Sequence, residues 1–173
     1  MTPNPINRPI IEPCDVAKLA RPCDCDDDVI LRTIEEAEML DIKPTLGDAL
    51  FLRLGTHVEF DRLLNGGEYQ NDKGETFVFA GLKRTLAYYV WARLVKTSPN
   101  HLTRFGYVVK QDDHSRATEF KERQIAYNDA FAIADGYMKQ CLAYIIANPE
   151  IFADYYKKGS LKANRTKFKI IGQ

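Results

Sequence analysis

From Asp113 to Asn148 apolar side chains recur at helical spacing over many turns: Phe120, Tyr127, Phe131, Ala134, Met138, Leu142 and Ile145, closed by Asn148-Pro149. A helix of this length cannot bury its own apolar stripe, so the remainder of the chain must supply the surface it packs on. The surrounding sequence supplies mostly more helix. The expected fold is therefore mainly α: a helical bundle with one long carboxy-terminal spine helix, a small β-hairpin or extended segment, and extended arms at both ends.

The first helix is predicted from about Asp27 to Leu40, with the acidic residues at its start suited to capping and to the positive end of the helix dipole. Ile30, Ile34, Ala37 and Met39 or Leu40 form its apolar face; Arg32, Glu35, Glu36 and Glu38 are assigned to water, and Pro44 to its end. A second helix from near Thr45 carries Leu46, Leu50 and Leu54, and a third, from about Thr56 to Leu64, carries Phe60, Leu63 and Leu64. Asn65-Gly66-Gly67 is a helix stop, and Asp72-Lys73-Gly74 is the tight turn of a small hairpin. Helical spacing returns from about Phe77 to Thr97 and stops at Ser98-Pro99-Asn100. The β-favouring run Phe105 to Lys110 reads as a strand or extended loop. A short turn of helix at Asp15 to Ala20 and another at Glu150 to Lys157 complete the expectation.

These elements divide the chain into an extended arm over 1–26, a helical body over 27–148 and a docking arm over 149–173. Prolines at 3, 5, 9, 13 and 22 stiffen the front arm, and Ile6, Ile10, Ile11, Val16 and Leu19 require it to lie on something, either its own body or a neighbour. Formal net charge is zero, but the sign is uneven. Asp24, Asp26, Asp27 and Asp28 make the front acidic; Lys157, Lys158, Lys162, Arg165, Lys167 and Lys169 make the rear basic, with no side-chain carboxylate after Asp154. The rear arm also carries Tyr155, Tyr156, Leu161, Phe168, Ile170 and Ile171. A purely electrostatic tail needs no apolar anchors, so a protein groove is the favoured target, with contact to nucleic-acid phosphates as the alternative.

No apolar run approaches the ~20 residues needed to cross a bilayer. The first residues lack the basic start and apolar stretch of a signal peptide, so a cytoplasmic site of synthesis and reduced cysteines are expected. Catalytic patterns are missing: His57, His101 and His114 fall in separate segments without the spacing of a helical zinc hydrolase, and there is no nucleophile elbow, phosphate loop or dinucleotide fingerprint. Glu35, Glu36 and Glu38 point to different faces of one helix. Cys14, Cys23 and Cys25 would form a metal site only with a fourth ligand from the body, and their spacing departs from the usual Cys-x-x-Cys knuckle. Neither an enzyme nor a cofactor is expected. Arg93 sits where an ion pair, a neighbouring subunit or plain solvent would each suit it.

One ordered set of segments resembles a known family. Asp41-Ile42-Lys43-Pro44-Thr45-Leu46-Gly47 with Leu50 is followed by Leu63-Leu64-Asn65-Gly66-Gly67-Glu68-Tyr69, then by Gly81-Leu82-Lys83-Arg84-Thr85-Leu86-Ala87-Tyr88-Tyr89 with Ala92-Arg93. Thr103, Gly106, Val108, Val109, Lys110 and Ser115 continue the order. Spanning about Asp28 to Asn148, this looks like the helical head–tail connector, or adaptor, proteins of tailed bacteriophages, of the type found in crAss-like and other Bacteroidales phages. The resemblance implies a non-catalytic virion protein of the neck. It would form a homo-oligomeric, dodecameric ring below the portal, made in the host bacterial cytoplasm, enclosing DNA without reading its sequence and touching no membrane. Its partners would be the portal and other neck or tail proteins. The rear arm, through Tyr155, Tyr156, Lys157, Lys158, Arg165, Lys167, Phe168 and Ile170, would then be the portal-docking element. The proline-rich, cysteine-containing front departs from a minimal connector. The rival readings are a DNA-binding protein using the basic arm and a small metal-binding protein using the front cysteines.

Overall fold

The computed structural model describes residues 9–54, 60–71, 73–97, 100–103, 106–109 and 120–156. Its elements, in order, are α1 (Pro13–Leu19), α2 (Asp27–Ala37), a π-helical turn (Glu38–Ile42), α3 (Lys43–Leu46), α4 (Asp48–Arg53) and α5 (Asp61–Asn65). There follow β1 (Gly67–Gln70), β2 (Thr76–Phe79), α6 (Leu82–Thr97), β3 (Asn100–Thr103), β4 (Gly106–Val109), α7 (Phe120–Ala147) and α8 (Ala153–Tyr156). The mainly helical class, the long late helix and the small antiparallel hairpin all match expectation.

The centre of the molecule is α6 rather than the longer α7. Leu82, Thr85, Leu86, Ala87, Tyr89, Val90, Ala92 and Leu94 are all buried, so this helix is covered on most of its circumference. The most extensive packing between any two elements is that of α7 along α6. On α7 the buried stripe runs Ala130, Ala134, Met138, Cys141, Tyr144 and Ile145, mixing small with large side chains. Phe120, assigned to the apolar face, is 72% exposed, because the first turns of α7 contribute no buried residue.

Two corrections concern α2. Its stripe of Ile30, Thr33, Ile34 and Ala37 is buried as the period requires. The next turn then widens to π geometry, which shifts the angular register of everything after it. Glu38, assigned to water, is turned inward and buried, and its Oε1 accepts the backbone N–H of Ile10 at 2.6 Å. Met39 and Leu40, assigned to the apolar face, are 50% and 60% exposed. Pro44 does not end this helical stretch. It sits in the first turn of α3, where its missing N–H costs little, and the chain stays helical until Gly47 at φ +83°. The following helix accordingly begins at Asp48 rather than Thr45.

The expected helix start at Phe77 is also displaced. Residues 76–79 pair with 67–70 in an antiparallel hairpin of register Gly67↔Phe79, Glu68↔Val78, Tyr69↔Phe77 and Gln70↔Thr76. At its turn the Asn71 Oδ1 accepts the N–H groups of Lys73 and Glu75, at 3.0 and 2.9 Å. Gly66 (φ +81°) and Gly81 (φ +83°) stand where the chain enters and leaves this hairpin. The run rich in β-formers near Phe105 resolves into a second hairpin, β3 with β4, of register Asn100↔Val109 to Thr103↔Gly106.

At both ends described residues flanking the expected 27–148 body pack against it. Residues 9–25 are not a free extended arm: α1 packs on α6, Ile11 and Val16 are buried, and Cys23 and Cys25 lie against the core. Pro13 opens α1, and the Glu12 N–H is held by the Asp15 carboxylate at 3.0 Å. At the other end Phe152 is fully buried between Tyr144 and Phe60, so the body extends beyond residue 148.

Candidate functional site

Two features merit description as sites: a cluster of charged and phenolic groups in the interior, and an apolar groove beside the first hairpin. The cluster is built by three elements. Asp41 comes from the π-helical turn, Tyr89 and Arg93 lie one turn apart on α6, and Asp135 comes from α7. Arg93 Nε donates to Asp41 Oδ2 at 3.0 Å, and Nη2 donates to Oδ1 and Oδ2 at 2.9 Å each. The Asp41 side chain is 9% exposed and that of Arg93 23%. A planar guanidinium facing a planar carboxylate is the pairing best able to offset desolvation. Tyr89 donates its hydroxyl to Asp135 Oδ1 at 2.6 Å.

Electrostatics describe a clamp. Burial pushes the Asp41 carboxyl above its ordinary value, Arg93 opposes that, and the Asp135 charge adds to it. Burial and the Asp135 carboxylate both push the Tyr89 phenol far above its usual range. A phenol so held remains protonated and serves as a hydrogen-bond donor, and the guanidinium is paired with its carboxylate through Nε and Nη2. The cluster ties the π-helical turn, α6 and α7 together; among the described residues it presents no activated nucleophile.

Cysteine chemistry points the same way. Burial pushes the thiols of Cys23 and Cys25 up, the reverse of the depressed values found in reactive or metal-bound thiolates. Cys141, packed 3.8 Å from the Thr85 hydroxyl, is pushed up to about 11 by burial. Among the described residues no group of three or more His, Cys, Asp and Glu is placed to hold a metal ion. His57 and His114 lie outside the described residues, and for His101 only its place in β3 is described.

The groove is formed where the hairpin leans over the end of α7. Tyr69, Asn71 and Phe77 line one side and Ala143, Ile146 and Ala147 the other, enclosing about 430 Å³. An aromatic chain backs its lining: Tyr69 meets Phe77 (5.6 Å), Phe79 (5.8 Å) and Tyr144 (5.3 Å), and Phe79 stacks on Tyr144 at 4.5 Å. In that lining Phe77 is 43% and Ile146 58% exposed.

Of the residues assigned to docking, Tyr155 lies half-buried against the core and Tyr156 ends α8. Lys157, Lys158, Arg165, Lys167, Phe168 and Ile170 lie outside the described residues. Arg93 was recognised as a candidate ion-pairing residue, but its partner, 52 positions away, has no signature in local spacing. Neither the Tyr89–Asp135 bond nor the groove was anticipated. Helical periodicity marks Tyr89 only as apolar, and the groove follows from a strand read as helix.

Fold and interior together define a mainly helical protein, organised around a central helix, whose buried charges are spent on holding helices to one another. Among the described residues no helix is long and apolar enough to cross a membrane. The chain belongs to a family of unknown function, DUF6712, whose model matches residues 42–165. No curated protein and no solved structure matches it.

Proposed function

We propose that this protein is a structural subunit of the neck of a tailed bacteriophage, a head–tail connector that assembles into a ring next to the portal and surrounds the DNA path. The observation that carries this reading is the meeting of the resembling segments in space. Asp41 opens the first of them and Arg93 closes the third, and the two residues form the bidentate ion pair of the interior. Two of the residues that carry the resemblance thus also join the π-helical turn to α6, which supports the reading.

A second property is consistent with assembly. Met39, Leu40 and Leu52 on one set of elements, Phe77, Val78 and Ile146 around the groove, and Phe120 and Ile125 at the start of α7 are all large apolar side chains left exposed in the single chain. A ring subunit needs two different, mutually complementary lateral surfaces, and exposed apolar side chains on several elements are what such contacts consume. Segment 157–173, basic and studded with apolar residues, is the element assigned to the portal.

Negative-stain microscopy and native mass spectrometry of the purified protein, alone and mixed with a portal protein from the same genome, test the proposal. Closed rings, formed alone or on the portal, are the expected result. A monomer that stays monomeric at high concentration and fails to bind the portal would overturn it.

A further inference from the structure

The long helix α7 carries two apolar faces. One is the stripe buried in the core. The other looks outward and holds Ile125, Ala132, Gly136, Ala143 and Ile146, with Asp129 and Lys139 as the charged residues among them. Ile125 and Ala143 stand about five turns apart on one line of the helix, so this face runs straight into the groove beside the first hairpin. Ile125 is 60% and Ile146 58% exposed. The outward side of a helix packed on one neighbour is ordinarily polar, and a helix apolar on both sides is one covered on both sides.

The charges on this face identify what covers it. Reversed about a point midway between Ala132 and Gly136, an antiparallel second copy sets Asp129 opposite Lys139, Ala132 opposite Gly136 and Ile125 opposite Ala143, and symmetry makes each pairing twice. Asp129 is bonded to Arg21 and its side chain is still 55% exposed; Lys139 is exposed as well. A parallel copy would instead bring Asp129 to Asp129 and Lys139 to Lys139, which is repulsive. Gly136 fits the antiparallel arrangement. It lies within the helix without positive φ, and a Cβ there would meet nothing within 4 Å in its own chain. A glycine at such a place weakens the helix, whereas the close approach of another backbone requires one.

We propose that the outward face of α7 and the adjoining groove form an interface with a second copy of this chain, the two α7 helices lying antiparallel about Ala132 and Gly136. Ile125 of each copy enters the groove of the other, beside Phe77 and Ile146, and Asp129 of each pairs with Lys139 of the other. The pair is closed by two-fold symmetry and leaves Met39, Leu40 and Leu52 exposed for other contacts, so it does not rest on the neck-ring reading.

Sedimentation velocity of the full chain over a dilution series tests the pairing, and a dimer that dissociates on dilution is expected. Gly136→Leu blocks the close approach while favouring the helix of the single chain, so it should give a monomer with an unchanged or raised melting temperature. Lys139→Glu, at an exposed position, sets carboxylate against carboxylate at both ends of the contact and should weaken the dimer about tenfold or more, with an unchanged circular dichroism spectrum. Ile125→benzoylphenylalanine, irradiated and mapped by peptide mass, should cross-link within 143–147 or 76–78 in a product of dimer mass. A monomer at every concentration, a dimer indifferent to both substitutions, or cross-links that map elsewhere would each overturn the proposal. These outcomes are read without the portal, so this pairing and the neck-ring reading fail separately.

Discussion

Arg93 donates from Nε and Nη2 to a single carboxylate, and the consequence of removing either partner follows from that geometry. Asp41→Ala leaves a largely buried guanidinium without its counter-charge, and a loss of about 2–4 kcal/mol is expected in urea unfolding, below the full buried-pair cost because Arg93 keeps some access to water. Replacing both residues together, Asp41→Leu with Arg93→Met, should recover most of that loss. A double variant as unstable as the sum of the singles would show that the pair is not coupled. Cys141 supplies a pH signature. Its folded value of about 11 lies above the ordinary 9.0, so its contribution to stability is fully present below pH 9 and is lost as pH rises through 11. Thermal unfolding should therefore weaken between those limits by roughly 2–3 kcal/mol on this group's account, and Cys141→Ala should flatten that part of the profile.

At the scale of elements, the first hairpin is set off by two glycines whose backbones touch. A Cβ on Gly66 would lie 2.6 Å from the Phe79 carbonyl oxygen, and one on Gly81 would collide with the Gly66 nitrogen. Both also require positive φ, so Gly81→Ala combines backbone strain with a clash that no side-chain movement relieves. A loss of about 3 kcal/mol or more is expected, against about 1 kcal/mol for an alanine at Gly74, where a Cβ meets nothing within 4 Å and only the positive φ is strained. Calorimetry of the two variants checks the ordering. These glycines also mark how far the sequence could be read. The helix stop at Gly66 was legible because glycine after an apolar run is a common cap. Gly81 was not, because it is embedded between the aromatic strand Thr76–Phe79 and a helix, and the apolar residues on either side can be fitted to one continuous period. The π-helical turn is a harder case still. Nothing in Glu38-Met39-Leu40-Asp41-Ile42 announces the wider turn, whose Glu38 and Asp41 carboxylates meet the Ile10 N–H and Arg93, groups far away in sequence.

For the whole molecule, helical class and the long α7 were available from periodicity alone, since a 3.6-residue repeat sustained over many turns has no other solution. Which helix would be central was not, because burial on all sides erases the amphipathic signal: α6 reads as a mixed helix and proves to be the one covered by α1, α2, α5 and α7. The same loss of signal hid the ion pair, which joins residues far apart in sequence. Of the two seats open to the front of the chain, its own body or a neighbour, residues 9–22 take the first. Prolines predict stiffness, yet a stiff segment with apolar residues at the right intervals makes a good cover for its own body, and residues 9–22 serve as one.

The manner in which that cover is fastened gives the molecule an optical gauge. Trp91 is the sole tryptophan of the chain. Its indole N–H donates to the Pro22 carbonyl at 3.2 Å, and the Arg21 guanidinium, itself bonded to Asp129 at 2.6 Å, lies over its ring at 5.1 Å. Tryptophan emission therefore reports on whether residues 21–22 are seated on α6 and α7, separately from the melting of the interior, and it can be followed in a single cuvette while subunits, partners or denaturant are added.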